Sequence, residues 1–393
     1  MNWLYSSWWK WVCVVLLSYV VIGGLLVPMG PGLPVVSPGQ FYPDSTYTFT
    51  VTGYRTHFAN ADAGKVQLWF TNGGKFYVPQ SIKVLDDNRI QASFGLSAAQ
   101  YDSLKQPTFD IVANDDYDGT IVLREGVAIE AYVEPVDTNP IKFDSIVEVK
   151  DAIVSKGTEL ATVTPTTYAD AKTEEPVVKH SDNRHFIFPY REILEESIRN
   201  TFYHVPMWFG MTFMVVLSLA FSVLYLAKGD MRYDTLASNA VVIALLYGVC
   251  GYLTGALWSK YTWFIGLSWG DAIRNMVFYD IKLSGALISI AVYLAYLILR
   301  SSITDEIKRA RISAVYSVFS VVIFILFIFI VPRSGAVDSL HPGQAGNPAF
   351  NKYDLDSHLR MFFYPAVIGW IMLGMWLLSI RIRLQNLQQK QEA

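Results

Sequence analysis

HVPMWFGMTFMVVLSLAFSVLYLA (residues 204–227) runs for 24 residues without one Asp, Glu, Lys or Arg. A helix of that length rises about 36 Å, and the hydrocarbon core of a bilayer is about 30 Å thick, so the stretch reads as a membrane span. Five more charge-free stretches follow the same pattern, at 11–27, 236–258, 283–299, 312–331 and 361–380. The composition agrees with them: 52% apolar and 17% charged residues, with a mean hydropathy of +0.29, do not suit a chain of soluble domains. The sequence predicts a polytopic α-helical membrane protein with six transmembrane helices. The first stretch is flanked by Trp8, Trp9 and Trp11 and lacks a clear small-residue cleavage site after it, so it reads as a retained anchor and not a signal peptide.

Cytoplasmic loops are enriched in Lys and Arg, which orients the spans. Lys228 and Arg232 lie between the second and third, and Arg300, Lys308, Arg309 and Arg311 between the fourth and fifth. Arg381, Arg383 and Lys390 follow the sixth. Both termini are then expected inside, with three segments outside: 30–200, 258–282 and 332–360. The short outer loops carry Lys260, Arg274 and Arg333 as well, so the bias is moderate. Charge divides the same way along the chain. Residues 30–200 hold 24 Asp and Glu against 15 Lys and Arg, and the remainder holds 10 against 16.

The acidic segment between the first two spans reads as a folded insertion. Period-two alternation at 47–54, 66–71, 90–94 and 120–129, with turns at Asn72-Gly73-Gly74 and Asp86-Asp87-Asn88, predicts an all-β domain over 38–134, of the Ig-like sandwich type and extracytoplasmic. Residues 150–184, rich in Ala, Thr, Val, Lys and Glu, read as a tether. The predicted organisation is a first transmembrane helix (1–30), the β domain (38–134), a linker and pre-membrane segment (135–200), a five-helix core (201–384) and a cytoplasmic tail (385–393). Asp110, Asp115, Asp116 and Asp118 lack the fixed glycine and terminal glutamate of a calcium loop and read as a solvated hairpin tip. His57, the one histidine of this β segment, has no evident partner in the sequence.

Several functions are excluded or disfavoured. The two cysteines, Cys13 and Cys250, both within apolar runs, allow neither a disulfide scaffold nor a Cys-rich zinc site nor a CxxCH haem attachment. No Gly-rich phosphate cradle with its lysine is present, so the chain holds no ATP-driven motor. The charge-free spans offer no carboxylates for proton-coupled transport. No concentrated basic face points to nucleic acid. No Ser-His-Asp or Cys-His grouping stands out, and no hydrolytic or redox site is recognisable.

Two of the six histidines fall at predicted outer boundaries. His204 opens the second span, and His341 follows the fifth in Ser339-Leu340-His341-Pro342-Gly343. Either alone is ordinarily an interfacial histidine bonded to loop backbone. As a pair on one side they match the way two imidazoles hold haem iron from opposite faces. The outer segment between the third and fourth spans adds Trp258, Tyr261, Trp263, Phe264, Trp269, Phe278, Tyr279 and Asp280. Interfacial Trp and Tyr are usually headgroup anchors, but a porphyrin needs aromatic faces with cations near its carboxylate edge, and Lys260, Arg274 and Lys282 are near.

On these residues the chain resembles the haem-handling "WWD" family of cytochrome c biogenesis, of the cytochrome c maturation protein C (CcmC) type. Tyr203-His204-Val205-Pro206 is similar to the family's "YxHVP", Trp258 to Trp263 followed by Tyr279-Asp280-Ile281-Lys282-Leu283-Ser284 to its tryptophan-rich segment and "WDxRLTS", and Ser339-Leu340-His341 to its "SLHQ". Tyr279 and Lys282 stand where that pattern has Trp and Arg, and Pro342 where it has Gln. The resemblance covers about 1–30 and 190–393 and leaves the β insertion out. It implies exchangeable, non-covalent haem b held by His204 and His341 as iron ligands, with Trp258, Trp263, Trp269, Tyr279 and Asp280 around it. It further implies a bacterial inner membrane, haem presented on the periplasmic side to the haem chaperone CcmE, and the ABC transporter CcmA/CcmB and small protein CcmD as companions. The β domain, acidic and beside the site of handover, is expected to dock a partner. Two other classes stay open: a transporter or channel subunit with structural histidines, and a partner-recruiting scaffold without haem.

Overall fold

The computed structural model describes residues 7–61, 65–129, 172–173, 186–190, 194–333, 355 and 357–392. His341, with the Ser339-Leu340-His341 stretch, lies outside the described residues, as does most of the expected tether. The chain forms two compact units, one of Met29–Glu192 and one of Met1–Pro28 with Ile193–Ala393.

In chain order, helix α1 (Trp8–Leu26) precedes the β unit. That unit comprises β1 (Gly32–Ser37), β2 (Gln40–Phe41), β3 (Ser45–Tyr54), β4 (Gln67–Asn72), β5 (Lys75–Val78), β6 (Ser81–Asp86) and β7 (Arg89–Leu96), then a short helix α2 (Ala98–Asp102), β8 (Thr108–Asp115), β9 (Gly119–Ile129) and β10 (Lys172–Thr173). A 3-10 segment (Glu195–Phe202) then leads into α3 (His204–Lys228), α4 (Met231–Thr262), α5 (Trp269–Phe278), α6 (Ile281–Ser301), α7 (Glu306–Ile325) and α8 (Ser357–Glu392).

The strands make two sheets, ordered β1-β3-β7-β6 and β10-β5-β4-β8-β9-β2, with β2 parallel to β9 and the other pairs antiparallel. Alternation along β3 buries Tyr47, Phe49 and Val51 and turns the threonines between them outward, as one buried sheet face requires. Phe41, Phe49, Phe70, Phe94 and Phe109 meet in the core, with Phe70 and Phe94 stacked at 3.9 Å between centroids. The β4–β5 turn needs Gly73 and Gly74, whose φ values of 56° and 86° an L side chain rarely adopts. The unit reaches beyond the expected 38–134: β1 begins at Gly32, and Lys172–Thr173, within the expected tether, pairs antiparallel with β5.

The six charge-free stretches fall, but for a terminal residue of the first and fifth, in helical runs long and apolar enough to cross a membrane, α7 continuing as a π-helical turn over Leu326–Ile330, so the chain is a multi-pass helical protein with a separate β domain. Several helices begin before the charge-free windows because polar caps sit outside them. Asp230, Asp280 and Asp305 accept backbone N–H bonds at the starts of α4, α6 and α7, and Gly229 closes α3 in the left-handed region. Small residues let the helices approach. Ser218 and Ser317 share a 3.2 Å hydrogen bond across α3 and α7, and a Cβ on Gly369 of α8 would stand 2.9 Å from Leu17 of α1. The longer span α4 brings an ionisable residue inside: Asp234 is buried and takes two guanidinium bonds from Arg300 of α6, at 2.7 and 2.5 Å. Beside it Asn239 bonds Gln385 of α8 at 2.7 Å and accepts from Arg381 at 3.1 Å. That polar end is the one where Lys and Arg collect.

Candidate functional site

At the other end of the bundle, glycines on α4 shape a bay for side chains of α3. The two helices are antiparallel, and residues 248, 251 and 255 fall along one side of α4. A Cβ on Gly248 would stand 2.8 Å from Met211 Sδ, one on Gly251 3.1 Å from the Trp208 ring, and one on Gly255 2.5 Å from His204 Cε1. Each glycine therefore receives one α3 side chain, and the last receives His204. Pro206, in the first turn of α3, occupies a position where its missing N–H breaks no helical bond.

His204 is 9% exposed, and its Nδ1 lies 2.9 Å from the Gly251 carbonyl oxygen and 3.2 Å from Thr254 Oγ1. A carbonyl only accepts, so Nδ1 carries the proton and donates. Thr254 Oγ1 is itself spent as donor on the carbonyls of Cys250 and Gly251, at 2.9 and 3.0 Å. The carbonyl bond at Nδ1 fixes the orientation of the ring, as a backbone carbonyl does for a histidine used at its other nitrogen. Two indoles stand edge-on to it: Trp258 at 5.8 Å and 76°, and Trp208 at 6.4 Å and 77°. Trp258 Nε1 donates to Ser197 Oγ at 2.9 Å, and Ser197 donates in turn to the Leu194 carbonyl. Arg199, from the same 3-10 segment, donates to the carbonyls of Gly24 and Val27 at 2.6 and 2.8 Å, tying the end of α1 to this corner.

The other expected residues are placed differently. Trp263 caps the end of α4 and is half-buried. Trp269 opens α5 and meets Tyr261 edge-on at 6.4 Å, with Lys260 Nζ 5.5 Å from its ring centre. Tyr279 follows α5 and is exposed. Asp280, 7% exposed, accepts the N–H groups of Lys282 and Leu283 at 3.0 and 2.9 Å, so its carboxylate starts α6. The fold thus brings Trp258 to His204 and sets Trp269 against Lys260 and Tyr261. Trp208 and the glycines Gly251 and Gly255 went unremarked in the sequence, although small residues spaced by four in an apolar helix are a known signal of close packing. Among the described residues no group of three or more His, Cys, Asp or Glu side chains is arranged to hold a metal ion.

His57 in the β unit does have a partner. Its backbone N–H donates to Asp118 Oδ2 at 2.6 Å, and its Nδ1 lies 2.9 Å from Asp118 Oδ1. The carboxylates of 115–118 form the β8–β9 turn as expected, but they are not all solvated. Asp115 is 1% exposed and accepts from the N–H groups of Tyr117 and Asp118, at 2.8 and 2.6 Å. Burial pushes its carboxyl above the ordinary carboxylate range, against the pull of those two bonds. No family model matches the chain, and no curated protein matches it.

Proposed function

We propose that the protein handles haem at the outer face of its membrane unit, taking haem b reversibly between His204 and His341 and presenting it to a periplasmic haem chaperone of the CcmE type. One observation carries this reading. His204 is held at a bundle end through Nδ1 on a backbone carbonyl, with an indole beside the ring. The residue suits a haem-iron ligand, because an imidazole oriented through one nitrogen by a backbone carbonyl would offer the other to a metal. Haem, when bound, would supply an iron that takes imidazole ligands reversibly. The chain's own residues position His204, through Gly251, Gly255 and Thr254, and Trp258 adds an aromatic face held by Ser197. Asp280 acts by starting α6.

The insertion belongs, in this reading, to the Ig-like sandwiches. Its support is the strand order: four strands on one sheet as A-B-E-D, with β4, β8 and β9 as C-F-G on the other. The unit has no cysteine for an inter-sheet disulfide, and its phenylalanine cluster fills the core instead. Partner docking is its proposed role.

The test is the visible spectrum of the detergent-purified protein produced with ample haem. A Soret band that is lost in His204→Ala and in His341→Ala, with membrane insertion unchanged, supports the reading. A colourless wild type, or full haem content in both variants, removes it and favours a transport subunit or scaffold.

A further inference from the structure

Helix α5 is amphipathic in a way that the bundle does not use up. It has ten residues, about 15 Å of helix, with a Ser268 cap that accepts the Asp271 N–H at 3.1 Å while donating to the Asp271 carboxylate at 2.7 Å. With 3.6 residues per turn, Ala272 and Met276 form one line along it, and both are buried against Leu283, Tyr252, Ala256 and Phe264. The adjacent line is Trp269, Ile273 and Val277. It is apolar too, yet Trp269 is 50% and Ile273 52% exposed, and Val277 is half-buried. Gly270 and Arg274 lie beyond it, and Asp271 and Asn275 flank the buried line on the other side, so the exposed line is bounded by protein and by polar residues. Phe278, at the end of the helix, falls off the stripe and is exposed.

The depth of α5 is set by its two ends. No Asp, Glu, Lys or Arg occurs from 235 to 259 or from 283 to 299, so Lys260 and Lys282 are the first ionisable residues at this end of spans α4 and α6. Lys260 Nζ sits over the rings of both Tyr261 and Trp269, at 5.8 and 5.5 Å, which puts Trp269 at the lysine's level. Only a few residues separate Phe278 from Lys282, so the far end cannot rise from the boundary either. The neighbouring flanks of the spans are apolar and exposed, at Leu253 and Leu257 of α4 and Leu287 and Ile288 of α6. The stripe on α5 matches the exposed apolar surface of these two spans in chemistry.

We infer that α5 lies flat in the headgroup–acyl boundary of the bilayer, with Trp269, Ile273 and Val277 immersed in lipid and Arg274, with Lys260 and Lys282, at the phosphates. The occupant of the exposed face is lipid, not a protein partner and not a cofactor. An indole at headgroup depth flanked by cations is the composition such helices use. This assignment does not rest on the haem reading, and it takes Trp269 out of the set that the resemblance places around haem.

The experiment is a spin-label scan of the full chain in nanodiscs of phosphatidylcholine with phosphatidylglycerol, in a Cys13→Ala, Cys250→Ala background. Nitroxides are placed one at a time by Trp269→Cys, Ile273→Cys, Val277→Cys, Asp271→Cys and Arg274→Cys, and power saturation compares oxygen with a water-soluble nickel chelate. Oxygen accessibility should exceed that of the chelate at 269, 273 and 277, with the order reversed at 271 and 274. Brominated lipids should quench a bimane label at 273 more than one at 271, which checks the depth by a second probe. Chelate access at all five positions would place α5 in water and overturn the assignment. Protection from both reagents at 269, 273 and 277 would mean a protein or cofactor covers the stripe, and would overturn it equally. Because the scan does not read haem, its outcome is separate from that of the Soret test.

Discussion

Gly255→Ala is the sharpest probe of the His204 bay. The added methyl would begin 2.5 Å from His204 Cε1, 3.2 Å from Nδ1 and 3.3 Å from Nε2, closer than carbon atoms pack, so the imidazole must move. The ring is buried and bonded to the Gly251 carbonyl, and movement breaks that bond. Overpacking a tight site costs about 1–3 kcal/mol, and losing the hydrogen bond about 1 kcal/mol more. Replacing a mid-helix glycine by alanine returns about 1 kcal/mol of helix propensity. The net expectation is a loss of about 1–3 kcal/mol, read as an earlier unfolding transition of the membrane unit in detergent, followed by helical circular dichroism. Gly270→Ala is the control, since the nearest atom to its new methyl is Ser268 Oγ at 3.7 Å, an ordinary contact, and it should be neutral or slightly stabilising. Under the haem reading, Gly255→Ala also lowers the Soret band towards that of His204→Ala while Gly270→Ala leaves it unchanged. A Gly255→Ala protein as stable as wild type, with an unaltered spectrum, would refute the packing argument for the bay.

Asp234→Leu strands the Arg300 guanidinium in the bundle and should cost about 3–5 kcal/mol, most of it recovered in the Asp234→Leu, Arg300→Leu double variant; equal stability of single and double variants in a denaturant titration would disprove the coupling. Phe70→Ala removes a ring stacked at 3.9 Å on Phe94 and should weaken the β unit by about 3–5 kcal/mol while the membrane unit's transition stays in place. A single shared shift of both transitions would count against independent units. Asp115 holds its proton more tightly in the folded β unit than in the unfolded chain, so its contribution to stability falls as pH rises from about the ordinary value of 3.8 through the raised one. Asp115→Asn cannot ionise, and urea melts should show it gaining on wild type across that acidic window; a difference independent of pH would remove the assignment.

The spans and strands were legible because their signals are local. A span declares itself as a charge-free run of the right length, and a half-buried strand as alternation with a period of two, whatever each later packs against. The turn at Asn72-Gly73-Gly74 was legible for the same reason, since Gly73 and Gly74 supply the positive φ on their own. Helix α5 is hard to tell from loop in the sequence because ten residues make a weak periodic signal, although Ser268 and Asp271 have the spacing of a helix start. What no local pattern contains is pairing. Asp234 and Arg300 are 66 positions apart, and His57 and Asp118 61 apart, and nothing in either neighbourhood names the other. His204 as a boundary histidine was visible in the sequence. Its proton on Nδ1, its rest against Gly255 and its indole neighbour were decided when α3 met α4, because the glycines, Thr254 and Trp258 act on the ring only once two helix faces are in contact.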